Sequence, residues 1–347
     1  MSKKIGLTVY GSAGYGAKEL FRLCEGHQEI EIQEVISKNQ PDTKLGEIHG
    51  NLSKFHNIKT VDRVNFDKLA QNERRFIVLC TPPTVSAQAV AELENEALKS
   101  DVKIVDLSGC FRLDNKKSRS QFYPESTDLE DTTHDSFTYG LPELNLEKIK
   151  KAQNISNPGC YATAAILSIH PIRSSGISSI VVDGKSGSSG GGKTLGKKFH
   201  HPELNGNCFA YKVGNHRHQP EISEKSQLTD IPLIFCPHVI PLSRGMMTTT
   251  YVQLKAPLSK SEVNEMFFNA YRDSPFIRIK KDPPEIRNVA GSNFCDIHFE
   301  VIDTTIIVTA AIDNLVKGMA GQAIQNINLM SGIDQTTGLL SPGLGLV

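Results

Sequence analysis

The chain has 347 residues, 39% of them hydrophobic and 22% charged, the composition of a soluble globular protein with room for one large or two ordinary domains. Basic and acidic residues both number 38, so no excess charge draws the protein to nucleic acid or to a membrane surface. No apolar run is long enough to span a membrane. We therefore expect neither a nucleic acid nor a membrane partner.

Seven cysteines are scattered along the chain without a C-x-x-C pair. An odd number of unclustered cysteines is typical of reduced thiols rather than a disulfide framework, although the count alone leaves oxidation open. The N-terminal residues lack the apolar core, cleavage site and arginine-rich pattern of a targeting leader. The sequence therefore predicts a cytoplasmic protein.

Apolar runs and helix-like segments alternate through the first third of the chain. Strands are predicted at 5–9, 29–37, 75–81 and 102–108, with helices at 18–25 and 85–100. Strict alternation predicts an α/β fold with a doubly wound parallel sheet of the Rossmann type. In such sheets ligands lie outside the carboxyl ends of the strands. The residues at or just beyond those ends are Gly11, Ser37, Pro82 and Ser108.

The pattern changes after residue 150. Strands are predicted at 178–183, 232–239, 245–255 and 304–313, and helices at 161–169, after Ser259, and as an amphipathic segment over 318–330. This half of the chain is predicted to be α+β with an antiparallel sheet.

The first predicted strand runs into the glycine-rich loop GSAGYGA, residues 11–17. In its G-x-x-G-x-x-A form, Gly11 makes the tight turn, Gly14 lets the backbone approach a pyrophosphate, and Ala17 lets the helix pack on the sheet. The loop follows a strand and precedes a helix, as the dinucleotide fingerprint requires. We therefore predict dinucleotide binding rather than a structural turn, with contacts from Gly11, Ser12, Ala13, Gly14, Tyr15 and Gly16.

The second predicted strand ends in Ser37, followed by Lys38. An acidic residue here would bind a ribose 2′-hydroxyl, whereas a hydroxyl and an ammonium suit a 2′-phosphate. The sequence therefore favours NADP(H) over NAD(H), the alternative being that Lys38 is an ordinary exposed lysine.

Cys160 stands in ISNPGCYATA, directly before an apolar helix pattern. The positive end of a helix dipole stabilises a thiolate and so raises the fraction of nucleophile. The alternative is a buried, unreactive cysteine, which is the commoner state of a free thiol. Position alone leaves both open.

The segment GNHRHQPEI holds His216, His218 and Glu221. On an extended segment the two histidines would point the same way, so that one could act as a base and the other bind an anion. A pair of surface histidines is the alternative. We expect no metal, because the segment has no H-x-x-x-H spacing and the chain no C-x-x-C pair.

The stretch GSSGGGKT, residues 187–194, fits the phosphate-binding pattern G-x-x-x-x-G-K-[ST]. Such a loop must end a strand and open a helix. Here the residues after Thr194 lack helical periodicity, and the preceding residues 183–186 are too polar to suggest a strand. A P-loop kinase is therefore a remote alternative.

A dinucleotide, a candidate activated cysteine and a histidine together indicate a reaction class. Hydride transfer needs the cofactor, a cysteine can hold an acyl group as a thioester, and a histidine can move the protons. That describes a phosphorylating aldehyde dehydrogenase or, in reverse, an acyl-phosphate reductase. A non-catalytic NADP-sensing module is the alternative, because a nucleotide-binding fold does not prove catalysis.

Over nearly its whole length the chain resembles the N-acetyl-gamma-glutamyl-phosphate reductases of arginine biosynthesis. The resemblance is carried, in the family's order, by GSAGYGAKEL, VDLSGCFRL, YGLPEL, SNPGCYAT, KSGSSGGGK, HRHQPEI, PHVIPLSRGMM, GSNFCDI and AIDNLVKGMAGQA. It implies that NADPH reduces N-acetyl-gamma-glutamyl phosphate to N-acetylglutamate 5-semialdehyde and phosphate. Related reductases of aminoadipyl or aspartyl phosphate stay open as alternatives, because their substrates differ little.

The resemblance also implies roles for single residues. Cys160 would be the nucleophile and His218 the acid/base, with His216 the less favoured choice, and Glu221 would orient the histidine. The implied substrate-binding residues are Arg112, Asn157, His216, Arg244, Ser186 and Gly187.

The resemblance further implies that the C-terminal segment returns to the cofactor at Asn314. The domains would then be an NADP-binding domain of residues 1–155 and 315–347, and a catalytic and oligomerisation domain of residues 156–314. The family commonly forms homodimers or homotetramers, so a homo-oligomer is expected.

Overall fold

The computed structural model describes residues 5–194 and 196–345. These residues form two compact units. The first comprises the described residues up to Pro158 together with Met319–Leu340, and the second comprises Gly159–Gly318 and the segment that begins at Ser341. The boundaries expected from the sequence were 155/156 and 314/315.

The segment from Ser341 lies with the second unit, although residues 315–347 were expected to belong to the nucleotide-binding domain. The N–H of Leu344 donates to the carbonyl of Ala290 at 2.9 Å, and that of Gly345 to the carbonyl of Arg287 at 3.1 Å. These backbone hydrogen bonds hold the segment to the second unit.

In the first unit strands and helices alternate, as predicted. In chain order they are β1 (Ile5–Tyr10), α1 (Tyr15–Glu25), β2 (Ile30–Ile36), α2 (Leu45–Ile48), α3 (Phe66–Leu69), β3 (Arg74–Leu79), α4 (Pro83–Lys99), β4 (Lys103–Asp106), α5 (Lys116–Phe122), α6 (Asp131–Asp135), β5 (Phe137–Tyr139), α7 (Pro142–Lys150) and β6 (Asn154–Ser156). The sequence pattern missed β5 and β6, because three-residue strands are too short to show a period.

The strands of the first unit form one parallel sheet in the order β2-β1-β3-β4-β6-β5. All six residues of β1 are buried, as expected for a parallel strand covered on both faces. Because β2 and β3 flank β1, the order of the strands reverses there. Ligands of open α/β sheets bind at the carboxyl ends of the strands at such a reversal, so the predicted Rossmann-type fold is confirmed.

The second unit contains a larger sheet and fewer helices. In chain order its elements are α8 (Cys160–Ile169), β7 (Ile177–Ser186), α9 (His201–Leu204), β8 (Phe209–Ala210), α10 (His218–Lys225), β9 (Leu233–Val239), β10 (Met246–Leu254), α11 (Lys260–Tyr271), β11 (Ile277–Ile279), β12 (Cys295–Ile302) and β13 (Thr305–Ile312).

The sheet of the second unit has the order β11-β12-β13-β10-β7-β9-β8. The pairs β7 with β9 and β11 with β12 are parallel, and the other neighbours are antiparallel. The sheet is therefore mixed, and the expectation of a purely antiparallel sheet was wrong. Crossovers through α10 and through the residues after β11 supply the chain length that parallel neighbours need.

The two faces of this sheet differ. Along β10 buried residues alternate with more exposed ones, and α8, which is buried at nine of its ten residues, packs against β10 and β13. The opposite face exposes large apolar side chains, among them Val181, Ile234 and Tyr251. Exposed apolar side chains grouped on a sheet face are typical of a protein interface.

The chain returns to the first unit through a π-helical turn, Val316–Ala320, and α12 (Gly321–Met330). Every residue of α12 is buried, including Gln322 and Asn326. The Asn326 side chain donates from Nδ2 to the carbonyl of Gly140 at 2.8 Å. The helix predicted over 318–330 is therefore present as α12, but it is buried on every side and not amphipathic with a solvated face. No helix in the described ranges is long and apolar enough to cross a membrane.

A capping box begins α11. The Ser259 hydroxyl accepts the Glu262 N–H at 3.2 Å, and the Glu262 carboxylate accepts the Ser259 N–H at 2.8 Å. We expect Ser259→Ala to lower the free energy of unfolding by about 1 kcal/mol, because an N–H of the first turn loses its partner. Urea unfolding checks this. The exposed Ser261→Ala in the same helix is the matched control, and equal losses in both variants would contradict the capping role.

Candidate active site

The loop after β1 brings the predicted dinucleotide contacts Gly11 to Gly16 together. Gly11 has a φ of +98°, and a Cβ there would lie 2.7 Å from Cγ2 of Thr81 and 2.8 Å from the carbonyl oxygen of Cys80. Only glycine fits this close approach between the loops that follow β1 and β3. Helix α1 then begins at Tyr15, with Gly14 as its N-cap.

The start of α1 has the features of an anion site. No side chain among the described residues caps it, so its first N–H groups are open to a ligand, and the helix dipole favours negative charge there. The buried Ser12 hydroxyl has no hydrogen-bond partner in residues 5–194 and 196–345, while the Ser12 carbonyl is hydrogen-bonded to Nε2 of His49 at 2.7 Å. These features fit a pyrophosphate.

Lys38 lies just beyond the end of β2 and is exposed. Its ammonium is 3.4 Å from the carboxylate of Glu92 on α4. A hydrogen bond to Tyr10 is the main cause that raises the pKa of Lys38, with a further contribution from the charge of Glu92. Glu92 has no sequence motif, and its position beside Lys38 becomes visible only in the fold. Pro82, after β3, is also exposed.

Ser108, predicted to contact the cofactor, is hydrogen-bonded to the buried Asp106 carboxylate. Its hydroxyl donates to Asp106 at 2.9 Å, and the N–H groups of Ser108 and Gly109 donate to the same side chain at 3.0 and 3.2 Å. Burial raises the pKa of Asp106, and these hydrogen bonds and Arg112 oppose that rise. The Asp106 side chain thus shapes the turn after β4, and a cofactor contact of Ser108 stays a prediction.

Arg112 and Asn157 were expected to bind substrate, yet both are buried and tied to the backbone of the first unit. Nε of Arg112 donates to the carbonyl of Asn157 at 2.6 Å, and Nη2 donates to that of Leu107 at 3.1 Å. The Asn157 side chain donates to the carbonyl of Met319 at 3.0 Å. These hydrogen bonds hold the carboxyl ends of β4 and β6, and the substrate contacts of Arg112 and Asn157 stay predictions.

Cys160 is the first residue of α8 and is partly exposed. Gly159 is the N-cap and makes no side-chain cap hydrogen bond, and the positive end of the helix dipole lies at the thiol. Other cysteines differ: burial raises the pKa of Cys24 to about 12 and raises that of Cys110 well above its usual range. Cys160 thus has surroundings that suit a nucleophile.

Helix α10 supplies His218 and Glu221 to the start of α8. Oε1 of the fully buried Glu221 accepts the N–H of Gly159 at 2.8 Å, and Oε2 lies 3.9 Å from Nε2 of His218. A Cβ on Gly159 would fall 2.3 Å from that nitrogen, so the imidazole lies against the backbone next to Cys160. Glu221 therefore holds the backbone before the cysteine as well as facing the histidine.

The sequence suggested that His216 and His218 lie on an extended segment, but the structure differs. His218 begins α10, and Arg217 between them has helical dihedral angles. Nδ1 of His216 accepts the His218 N–H at 3.1 Å. Burial, aided by Arg217 and Lys212, lowers the pKa of His216 to about 3. With this pKa His216 is neutral at physiological pH, and its contact with substrate stays a prediction.

Two tyrosines missed by sequence reasoning border the histidines. The Tyr211 and His216 rings are 5.6 Å apart, and those of Tyr161 and His218 are 6.1 Å apart. The Tyr161 hydroxyl donates to the carbonyl of His238 at 2.8 Å. Burial, followed by the nearby Cys160, raises the pKa of Tyr211 to about 12. Tyr161 stands in the motif SNPGCYAT and Tyr211 in none of the quoted motifs, and their place beside the histidines becomes visible only in the fold.

Arg244 and Asn314, predicted to bind substrate and cofactor, hold loops of the second unit. Nε of Arg244 donates to the buried Asp313 carboxylate at 2.7 Å. The Asn314 amide accepts the N–H of Gly245 at 2.7 Å and donates to the Ser189 hydroxyl at 2.9 Å. Ligand roles for Arg244 and Asn314 stay predictions beside these observed contacts.

The glycine-serine stretch after Ser186 does follow a strand, because β7 extends to Ser186. The expectation that the polar residues 183–186 form no strand was therefore wrong. Its N–H groups are nevertheless used, since those of Gly187, Ser188 and Ser189 donate to carbonyls of residues 242–245 at 2.8–3.1 Å. A short 3₁₀ turn, Ser188–Gly191, follows instead of a helix. The stretch therefore lacks the open N–H groups and the helix of a phosphate-binding loop, and Gly187 is packed against Arg244.

Ser186, at the end of β7, is buried, and its hydroxyl donates to the carbonyl of Gly187 at 3.1 Å. No group of three or more His, Cys, Asp or Glu side chains that could hold a metal occurs within 5–194 and 196–345.

Comparison with known proteins matches both units. The family described as "Semialdehyde dehydrogenase, NAD binding domain" matches residues 7–152, and "Semialdehyde dehydrogenase, dimerisation domain" matches residues 160–314. The chain is 36% identical to N-acetyl-gamma-glutamyl-phosphate reductase of Methanococcus maripaludis, over 97% of this chain and 98% of that protein. It is 38% identical to the protein of that name from Bacillus cereus, over 96% and 97% of the two chains.

Solved structures show the same fold at low sequence identity. Aspartate semialdehyde dehydrogenase II of Vibrio cholerae aligns with a TM-score of 0.70 at 15% identity, covering 95% of this chain and 99% of that one. Aspartate semialdehyde dehydrogenase with NADP from Candida albicans aligns with a TM-score of 0.66 at 12% identity, covering 95% and 98%.

The depressed pKa of His216 predicts a pH-dependent stability. An unfolded histidine binds a proton near pH 6.5, whereas His216 in the folded protein binds one only near pH 3. Stability should therefore fall as the pH drops from about 6.5 towards 3, by at most about 1.4 kcal/mol per pH unit from this residue. Urea unfolding at pH 7.5 and 5 should show a smaller difference for His216→Asn than for the wild type. The exposed His201→Asn is the control, and an unchanged difference in His216→Asn would contradict the prediction.

Proposed function

The chain belongs to the N-acetyl-gamma-glutamyl-phosphate reductase family and is an oxidoreductase of the phosphorylating aldehyde dehydrogenase kind, and we propose that it reduces N-acetyl-gamma-glutamyl phosphate to N-acetylglutamate 5-semialdehyde through a thioester on Cys160. The observation that carries this proposal is the start of α8. There a partly exposed thiol stands at a helix N-terminus, and α10 places His218 and Glu221 against the preceding residue.

In the first step the Cys160 sulfur attacks the carbonyl carbon of the acyl phosphate, and His218 takes the thiol proton. The carbon–oxygen bond to phosphate breaks, phosphate leaves, and the acyl group stays on the sulfur as a thioester. Glu221 fixes the Gly159 N–H, so the sulfur does not drift during the attack.

NADPH, when bound, would supply a hydride to the thioester carbon, and the product would be the oxyanion of a thiohemiacetal on Cys160. His218 then protonates the new oxyanion, and takes this proton back as the carbon–sulfur bond breaks to release the aldehyde. His216 is neutral and buried, which suits it to hold the backbone of His218 rather than to exchange protons itself.

The residues of the first unit suit NADP(H). The open N–H groups at the start of α1 and the Ser12 hydroxyl would hold the pyrophosphate, while Ser37 and Lys38 would hold the 2′-phosphate. The protein with NADP from Candida albicans supports this choice over NAD(H).

For assembly we propose a homodimer or a homotetramer in the cytoplasm. A dimerisation domain matches residues 160–314, and the exposed face of the large sheet carries Val181, Ile234 and Tyr251. Burial of such a face against a second copy would remove this apolar surface from water.

The thioester can be tested in the reverse reaction. With N-acetylglutamate 5-semialdehyde, phosphate and NADP⁺, the wild type should form NADPH, and Cys160→Ser should reduce kcat by at least about 10³-fold, because a serine hydroxyl is a far weaker nucleophile. The exposed Cys208→Ser is the matched control and should keep full activity. Activity that survives in Cys160→Ser, or that does not need phosphate, would refute the thioester.

The cofactor preference can be tested at Lys38 and its partner Glu92. Lys38→Ala should raise KM for NADP⁺ about tenfold and leave KM for NAD⁺ nearly unchanged, because only NADP⁺ carries the 2′-phosphate. Glu92→Gln should lower KM for NADP⁺, since it frees the ammonium from an ion pair. Steady-state kinetics with both nucleotides measure this. The exposed Lys99→Ala, which pairs with Glu96 on the same helix as Glu92, is the control, and parallel shifts with both nucleotides would contradict the assignment.

A further inference from the structure

The backbone that follows β13 touches the candidate nucleophile. A Cβ on Gly318 would lie 2.7 Å from Cβ and 3.1 Å from Cα of Cys160. The Gly318 N–H donates to the carbonyl of Asp313, five residues back, at 2.9 Å. This bond belongs to the start of the π-helical turn Val316–Ala320, a geometry that is rare and frequent at functional sites.

The Asp313 carboxylate holds this turn in place. It is fully buried, and one oxygen accepts the N–H groups of Leu315 and Val316 at 2.8 and 3.0 Å. The other oxygen accepts Nε of Arg244 at 2.7 Å and also the N–H of Gly291. A buried carboxylate with this many donors is fixed in position, because each lost donor would leave charge without compensation.

Lys317 adds a further constraint to the same turn. Its side chain is fully buried, and Nζ lies 5.7 Å from the centroid of the Phe276 ring. A cation near an aromatic face is stabilised by the ring quadrupole, and a buried ammonium that leaves such a site must find a new partner. The Asp313 carboxylate and the buried Lys317 side chain therefore both hold the turn in place.

We propose that Asp313 is a positioning residue for Cys160: through the π-helical turn, its carboxylate sets where the Gly318 backbone stands and hence where the cysteine lies. Arg244 acts in this arrangement by holding the carboxylate. The inference rests on the proposed function, in which Cys160 is the nucleophile. Asp313 is fully buried and its carboxylate is occupied by four protein donors, so its effect would pass through the position of the sulfur. Misplacement by about 1 Å costs about 10²-fold in rate.

The test combines two readouts in the full-length protein. Asp313→Asn keeps the shape but loses the charge, and Gly318→Ala pushes a methyl group at Cys160 while keeping Asp313. Each should lower kcat about 10²-fold with KM for the semialdehyde changed less than about threefold. Each should also change the rate of Cys160 alkylation by iodoacetamide about tenfold across pH 6–9. Mass spectrometry of the Cys160 peptide measures this rate. Alkylation of Cys208 is the internal control and should stay constant.

Asp296→Asn is the matched control for loss of a buried carboxylate. Asp296 is buried in the same unit and pairs with Nε of Arg278, and its variant should leave Cys160 alkylation within about twofold of the wild type. Asp313→Glu should restore part of the alkylation rate. The proposal is overturned if Asp313→Asn and Gly318→Ala alkylate Cys160 at the wild-type rate, or if Asp296→Asn produces the same change.

If Asp313→Asn does not fold, Asp313→Glu takes its place, because it keeps the charge and shifts the carboxylate, and an alkylation rate of Cys160 equal to the wild type would overturn the proposal. The alkylation readout needs neither substrate nor cofactor. If Cys160→Ser keeps its activity, the thioester is refuted. A changed alkylation rate in Asp313→Asn would still support the positioning role. Failure of the proposed function and failure of this inference are therefore distinguishable.

Discussion

The hydrogen bond from the Gly159 N–H to the buried Glu221 carboxylate is the contact on which the candidate active site depends. It fixes the residue before Cys160 to the helix that also carries His218, so one interaction between α8 and α10 positions the proposed nucleophile and the proposed acid/base. A carboxylate removed from water needs such donors, because unpaired it would be costly. This one hydrogen bond thus gives the buried carboxylate a partner and fixes the backbone next to Cys160.

Sequence reasoning located what depends on neighbours in the chain. The turn at Gly11 and the cysteine at the start of α8 were predicted because strand, glycine and helix signals are local. The start of α10 was missed, although Pro220 and Glu221 in its first turn are signals of a helix beginning. The full length of β7 was missed because Asp183 and Lys185 point to the exposed face while Gly184 and Ser186 are buried, the alternation of a half-exposed strand.

What the sequence could not provide are contacts made by distant segments. Two donors of Arg112 bind carbonyl groups just beyond the carboxyl ends of β4 and β6, a pair of contacts that no sequence pattern shows. Glu92 and Tyr211 belong to none of the quoted motifs, and the ion pairs of Glu92 with Lys38 and of Asp313 with Arg244 form only on folding. The glycine-rich stretch 187–194 matched a phosphate loop only as a remote alternative, and the N–H groups of Gly187, Ser188 and Ser189 bind carbonyl groups instead.

The first unit can be completed only after α12 has been translated. α12 packs against α1 and α7, yet about 160 residues of the second unit, Gly159–Gly318, are made between α7 and α12. At ~5–20 residues per second a ribosome needs roughly 8–32 s for that stretch, and during this interval the surface of the first unit that α12 covers is exposed. A nascent chain of this fold therefore has a built-in waiting period in which its nucleotide-binding unit exposes core surface, and chaperone binding in that window would protect it from aggregation.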